Sequence, residues 1–166
     1  MKDTHCDAEL FFDWTTPLAA DIDATEYEIH LSTLSFNHPS PTKNNMLTIA
    51  ITALQRAAAR GVHVHVYLPA ISPSHPATLQ NGSAADRLHA QKITAHLIPL
   101  PQLLHAKTVS LDDSVIWCGS GNWTQAAAAH NDEAYLRVCS PKLARAMREK
   151  LQSLCWKQIH RMRETA

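Results

Sequence analysis

Residues 105–122 read HAKTVSLDDSVIWCGSGN. The first seven, His105 to Leu111, alternate polar and apolar side chains, and a period of two predicts a β-strand with His105 and Lys107 on one face. An imidazole and an ammonium roughly 7 Å apart on a strand face are spaced to meet a single phosphate, one as nucleophile or proton carrier and the other as fixed charge. Asp112-Asp113-Ser114 is a polar turn, and the apolar run Val115 to Cys118 predicts a second, buried strand paired to the first. Such a hairpin returns Gly119-Ser120-Gly121-Asn122 to the side of His105. Two glycines there permit close backbone approach, while Ser120 and Asn122 offer neutral hydrogen bonds to phosphate oxygens.

His105, Lys107, Asp112, Gly119, Ser120 and Asn122 fit the pattern HxK(x)4D(x)6GSxN at every position, and on these residues the chain resembles the phospholipase D superfamily. Six specified residues at fixed spacing arise by chance roughly once in a million chains of this length, which sets aside an ordinary polar hairpin. The upstream RGVHVHVYLP and the downstream Asn131-Asp132-Glu133 extend the resemblance to small single-motif members, over nearly the whole chain. It implies an α/β fold, an α-β-α sandwich with a mixed central sheet and helices on both faces, as one domain over 1–166. Superfamily members need two copies of the signature for one active site, and this chain carries one. The resemblance therefore implies a homodimer whose two hairpins meet across a two-fold axis.

The resemblance also implies roles. His105, Lys107, Asn122 and Glu133 would be catalytic, with Lys107, Ser120 and Asn122 on the phosphate oxygens. Glu133 stands where the family places a carboxylate that hydrogen-bonds the catalytic imidazole, and Asp112 and Gly119 would be structural. The implied reaction is a two-step phosphoryl displacement through a phosphohistidine, with no cofactor and no metal. Short single-motif members are largely endonucleases, so a non-specific nuclease acting on DNA or RNA is the leading expectation. A lipid phosphodiesterase or phosphatidyltransferase of the cardiolipin-directed kind is the alternative, and a catalytically idle dimeric module is the third.

The 166 residues suffice to bury one core. Net charge is zero, so no global basic field announces a nucleic-acid binder. The ends differ in sign: residues 1–35 hold eight acids against one base, and residues 141–166 hold seven bases against two acids. That asymmetry fits either a basic face for an anionic polymer or a solvated helix surface. Four cysteines without a CxxC pair read as reduced thiols. The acidic start MKDTHCDAELFFDW has no charged-then-apolar leader, and no run approaches a membrane span, so the expectation is a cytoplasmic protein without a membrane anchor, an exported form with its leader removed being the alternative.

In order, the pattern predicts an edge strand from Glu9 to Trp14, a helix from Leu18 to about Thr25 and a strand from Glu28 to Phe36. Asn37 to Asn45, with two prolines and three asparagines, reads as a loop at the rim of a site. Apolar spacing gives a helix from Met46 to Arg60 stopped by Gly61, and then a strand from Val62 to Leu68 parallel to the one before. Its His63 and His65 share a face, either as two metal ligands or as strand histidines satisfied by neighbours. Ala70 to Gly82 reads as a loop, Ser83 to Gln91 as a helix and Ile93 to Ile98 as a strand. Loops 37–45 and 70–82 are the expected determinants of substrate choice. After the signature, Trp123 to His130 reads as a helical turn, either facing an anion or acting as a plain connector, and Ala134 to Cys139 as a strand. Pro141 to about His160 reads as a helix with a Leu143, Met147, Leu151, Leu154 core stripe and its bases outward.

Overall fold

The computed structural model describes residues 7–37, 45–99, 101 and 103–164, with the helical backbone alone for 156–164. The stretch 37–45, expected as a loop, falls largely outside the described residues, as do Cys6 and the side chains of Lys157, Arg161 and Arg163.

A seven-stranded sheet runs in the order β1-β7-β6-β5-β2-β3-β4. One half is a β-α-β-α-β succession: β2 (Glu28–Ser32), α2 (Met46–Arg60), β3 (His63–Ala70), α3 (Pro76–His89) and β4 (Thr94–Pro99). Its three strands are mutually parallel, as short strands separated by helices require. The other half is antiparallel and contains β5 (Thr108–Leu111), β6 (Val115–Gly119), β7 (Tyr135–Cys139) and the edge strand β1 (Asp7–Phe11). β5 pairs antiparallel to β2 and joins the halves.

Each element has a local cause. In α2, Asn45 accepts the Leu47 N–H and Gly61 closes the helix at φ 96°, a left-handed turn that glycine adopts without strain. Pro76 opens α3 at a position that needs no N–H donor, and His75 Nδ1 caps the Ala77 N–H at 3.2 Å. The stretch expected as a loop over 70–82 is therefore only 71–75, and the helix expected from Ser83 starts seven residues earlier. Its polar composition hid a helix whose buried side consists of Asn81, Ala84, Ala85 and Leu88. β1 and β2 also end earlier than the pattern suggests. Trp14 leaves the edge to become a buried wall beside α1 (Thr15–Ala24), and the chain beyond Ser32 turns out of the sheet.

One face of the sheet presents Ile29, Leu31, Val64, Val66, Leu68, Val109 and Trp117 to α1, α2 and α3, which together form the main core. The other face is covered by α5 (Pro141–Glu164) and is unusually polar. Ser32 Oγ meets Thr108 Oγ1 at 2.8 Å, Ser110 Oγ donates to Ala144 O at 2.9 Å, and Glu28 accepts from Arg148 at 3.0 Å. Met147, Leu151 and Leu154 of the expected stripe pack inward on Tyr67, Ile98 and Leu104. Leu143 does not; it is exposed, and Ala144 takes the buried place, packed with Ile116 and Val138. Arg148 is likewise turned in, pairing with Glu28 and Asp113.

Under α5 lies a stack of imidazoles. The rings of His30 and His65 are 4.9 Å apart and 9° from parallel, and those of His65 and His96 are 5.4 Å apart and 16° from parallel. His65 Nδ1 lies 3.2 Å from His96 Nε2, and His30 is held by Tyr67 Oη at 3.0 Å and Glu28 at 3.1 Å. Face-to-face rings do not converge their nitrogens on one point, and among the described residues no cluster of three or more candidate ligands could hold a metal. Of the expected HxH pair, His65 is thus satisfied by neighbours and His63 is exposed. Burial pushes the His65 imidazole down to about 4 and lowers His30 and His96 as well, in His30 against the pull of Glu28.

An unfolded histidine takes up its proton near pH 6.5, whereas these three resist it while folded. Their contribution to stability is complete above about pH 6.5 and is lost as pH falls toward 4, with a slope approaching ~1.4 kcal/mol per pH unit for each imidazole that protonates on unfolding. Thermal melts between pH 4 and 8 should show this loss, and His65→Leu should flatten it relative to the wild type.

Candidate active site

The hairpin β5–β6 turns through Asp112 and Asp113, at φ 48° and 49°, with Ser114 N donating to Leu111 O at 2.9 Å. Two successive residues in the left-handed region make a type I′ turn, which matches the twist of paired strands. The Asp112 carboxylate accepts the N–H groups of Glu26 (2.7 Å), Tyr27 (2.8 Å) and Glu28 (2.8 Å), fastening the turn to the start of β2. Asp112 therefore sits at the end of β5 away from His105.

At the other end, the regular strand begins at Thr108, three residues later than the alternation predicts, although pairing continues through Gly119 N to Lys107 O at 3.0 Å. His105 is exposed and Lys107 is buried. The Lys107 Nζ lies 2.9 Å from His105 O and 3.1 and 3.2 Å from the two ring nitrogens, so imidazole and ammonium do share one place. Burial lowers the Lys107 pKa, and the carboxylate of Glu133 pulls it back up.

Gly119-Ser120-Gly121-Asn122 continues β6 past its pairing with β5. Ser120 Oγ donates to Glu133 in a short contact and accepts the Ala134 N–H at 3.2 Å, while Asn131 Nδ2 donates to the other Glu133 oxygen at 3.0 Å. Within one chain, the partners of Glu133 are thus Ser120 and Asn131 rather than the His105 imidazole that the resemblance predicts. In this chain the Ser120 proton is directed at Glu133, and binding a phosphate oxygen, the role the resemblance implies, requires the hydroxyl to turn from that carboxylate. Asn122 Oδ1 meets the hydroxyl of Thr33 at 3.2 Å. Its Nδ2 has no hydrogen-bond partner among the described residues.

The close approach that Gly119 permits is to a side chain. A Cβ on Gly119 would lie 2.3 Å from Tyr135 Cδ1, and one on Gly121 would lie 3.1 Å from Tyr135 Cε2. Tyr135 is buried and stacked on Trp14 at 4.8 Å, and its hydroxyl donates to Gly121 O in a short contact. Neither Tyr135 nor Thr33 was singled out from sequence as part of the site. The spacing that places Tyr135 directly opposite Gly119 across the β6–β7 ladder had no signature to mark it.

The segment after the signature contains α4 (Gln125–Ala129), which is five residues long, capped by Thr124 and packed through Ala127. On the far side of His105, a cavity of about 380 Å³ opens between residues 103–106 and α5, lined by Leu103, Leu104, Met147, Leu151, Leu154 and Lys150. No helix among the described residues is long and apolar enough to cross a membrane.

The family profile described as cardiolipin synthase, PLD-like domain, matches residues 18–156. The chain belongs to this PLD-like family. By family and fold it is a phospholipase D-like phosphodiesterase. Among solved structures, the phospholipase D family member Nuc from Salmonella typhimurium is similar, with a TM-score of 0.73 and 22% identity, covering 93% of this chain and 96% of Nuc. NucT from Helicobacter pylori has a TM-score of 0.69 and 17% identity, covering 91% of this chain and 96% of NucT. A phosphatidylserine synthase from Haemophilus influenzae has a TM-score of 0.59 and 16% identity, covering 90% of this chain but 38% of the synthase. A search of curated protein sequences finds no match. The PLD-like α/β sandwich, with its mixed sheet and helices on both faces, is as the signature led us to expect.

Gly119→Ala should destabilise the protein by ~3 kcal/mol or more, because backbone and a buried ring must separate, and urea unfolding measures it. Gly121→Ala should cost less. Combining Gly119→Ala with Tyr135→Ala should cost less than the sum of the two, since the cavity of one accepts the methyl of the other.

Proposed function

We propose that the chain is a metal-independent phosphodiesterase, acting as a non-specific endonuclease on DNA or RNA, with an active site completed by a second copy of itself. The observation that carries this reading is that one chain supplies a complete signature but only one signature imidazole. His105 stands exposed on Lys107, with Asn122 presenting an amide nitrogen that has no hydrogen-bond partner among the described residues. Displacement with a covalent intermediate asks for two imidazoles on opposite sides of phosphorus, and a homodimer provides the second.

In the first step, a nitrogen of one His105 attacks phosphorus. A P–N bond forms, the P–O bond to the leaving alcohol breaks, and His105 of the partner subunit gives that oxygen its proton. In the second step, water attacks the phosphohistidine. The partner's His105 takes the water proton, the P–N bond breaks, and both imidazoles return to their starting states. Lys107 and Asn122 from both subunits hold the non-bridging oxygens, where charge accumulates in the transition state. Glu133, held by Ser120 and Asn131, adds a carboxylate whose field favours charged Lys107. The signature's Asp112 and Gly119 act at a distance, through the turn and through Tyr135.

The nucleic-acid preference rests on the resemblance of the signature to short single-motif members and on the likeness in fold to Nuc and NucT. One observation favours the second reading, a phospholipid phosphodiesterase: the apolar cavity beside His105 would accept an acyl chain.

Purified protein should cut plasmid DNA, single-stranded DNA or RNA in EDTA, and His105→Ala should lose at least ~1,000-fold. Binding of the polymer should weaken steeply with salt. If neither protein cuts any of the three while cardiolipin-containing vesicles are hydrolysed, the substrate is lipid. If nothing is turned over by a dimer, the module is idle.

A further inference from the structure

We propose that Thr33, which lies 89 residues upstream of Asn122 and outside the signature, is a positioning residue that decides which end of the Asn122 carboxamide faces the phosphate. This rests on the reading of the site just given and adds to it a residue that the signature does not contain.

Thr33 follows the last residue of β2, where the chain leaves the sheet, and its side chain is fully buried. Its Oγ1 accepts the N–H of Trp123 at 3.2 Å, and its proton is within reach of Asn122 Oδ1 at 3.2 Å and Ser35 O at 3.2 Å. One hydroxyl thus touches both the amide of Asn122 and the peptide that follows it. The segment around it is closely held. Asn37 N donates to Trp123 O at 2.7 Å, and the rings of Phe36 and Trp123 stack at 5.6 Å. The buried Asn81 of α3 donates to Leu34 O and Pro69 O at 3.0 Å each and accepts the Phe36 N–H at 3.1 Å. The segment that carries Thr33 is therefore fixed both to α3 and β3 of the parallel half and to Trp123 just beyond β6.

A carboxamide has a donor end and an acceptor end, and only the donor end can hold a phosphate oxygen. Left to itself, the Asn122 amide can turn either end outward at small cost. A hydroxyl donating to Oδ1 keeps the oxygen turned back toward β2 and leaves Nδ2, with no partner among the described residues, for the ligand. The charge of Lys107 at the same site acts in the same sense, because the phosphate it attracts repels an amide oxygen. Thr33 thereby does for Asn122 what a backbone does for an oxyanion hole: it sets the donor in place before charge develops, so no reorganisation is needed in the transition state.

The test uses the full-length protein and bis(4-nitrophenyl) phosphate, a chromogenic diester that does not presuppose nucleic acid or lipid. Thr33→Val keeps the shape and removes the hydroxyl, whereas Thr33→Ser keeps the hydroxyl. We expect Thr33→Val to lower kcat by about 10- to 100-fold with little change in KM, less than the roughly 100- to 1,000-fold of removing a donor outright because the amide stays and is only misaligned, and Thr33→Ser to stay within about threefold of wild type. The deciding measurement is the same substitution in an Asn122→Ala background, with the folded fraction of each variant fixed by circular dichroism. Positioning through Asn122 predicts less than about a twofold further loss there, since the amide to be positioned is gone. Full kcat in Thr33→Val, or an equal proportional loss in both backgrounds, overturns the proposal while leaving the phosphodiesterase reading intact. If the wild type hydrolyses neither this diester nor nucleic acid nor phospholipid, the reading of the site falls, and the role of Thr33 falls with it.

Discussion

The carboxylate of Asp112 is the constraint on which the geometry of the molecule depends. Among the described strands, the ladder between β5 and β2 joins the parallel and antiparallel halves of the sheet, and that junction is four residue pairs long. Three backbone N–H groups at the head of β2 converge on this one side chain, which the left-handed backbone at Asp112 and Asp113 aims at them. Hydrogen bonds to a charged acceptor are roughly twice as strong as neutral ones, and three of them resist a slip in register. A slip of one residue would turn Lys107 from one face of the sheet to the other. The acid in the signature thus acts on the chemistry from the far end of the hairpin, by deciding where the near end stands.

A second constraint comes from α5. The sheet face beneath it carries serine, threonine, tyrosine and histidine beside two apolar clusters, so hydrogen bonds and apolar contacts together hold this layer. Such a face is specific and brittle. Each buried donor needs its partner, and protons can upset the balance where carbonyl-rich or aliphatic packing would be indifferent. The same helix packs on Leu104 and Ala106, the residues on either side of His105, so the polar layer and the reactive segment share one support.

The site combines residues from both halves. His105 and Lys107 come from the approach to β5, Asn122 from the exit of β6, and Glu133 from the entrance to β7, with Thr33 reaching in from the end of β2. Each glycine of the GSGN run is needed for the ring of Tyr135 that passes beneath it. The small residues of the signature therefore serve packing, and the polar ones are left to the chemistry proposed above or to the orientation of another polar group.

Much of this was legible in the sequence because it is local. Alternation from His105 to Leu111, the polar turn and the apolar run after it are properties of neighbouring residues, and they place a hairpin and its reactive end without any knowledge of the rest. The β-α-β unit from Glu28 to Leu68 was legible for the same reason, its period switching cleanly from two to 3.6 and back. Where composition and pattern disagreed, composition misled: the stretch 76–82 looks like a loop and is helix, because Pro76 is at the one turn that tolerates it and Asn81 has buried partners that no local rule supplies. Leu143 and Arg148 exchanged their expected sides because α5 lies on a polar face, which only the packed sheet reveals. By itself the sequence determined the fold class, the hairpin and the family signature that names His105, Lys107 and Asn122 as candidates. Only the tertiary structure decided what Ser120, Glu133 and Asn122 bond to and that Tyr135 and Thr33 belong beside them, because apart from the local Asn131–Glu133 bond those contacts join residues 13 to 89 positions apart, and pairing at such distances is set by the packing of whole elements.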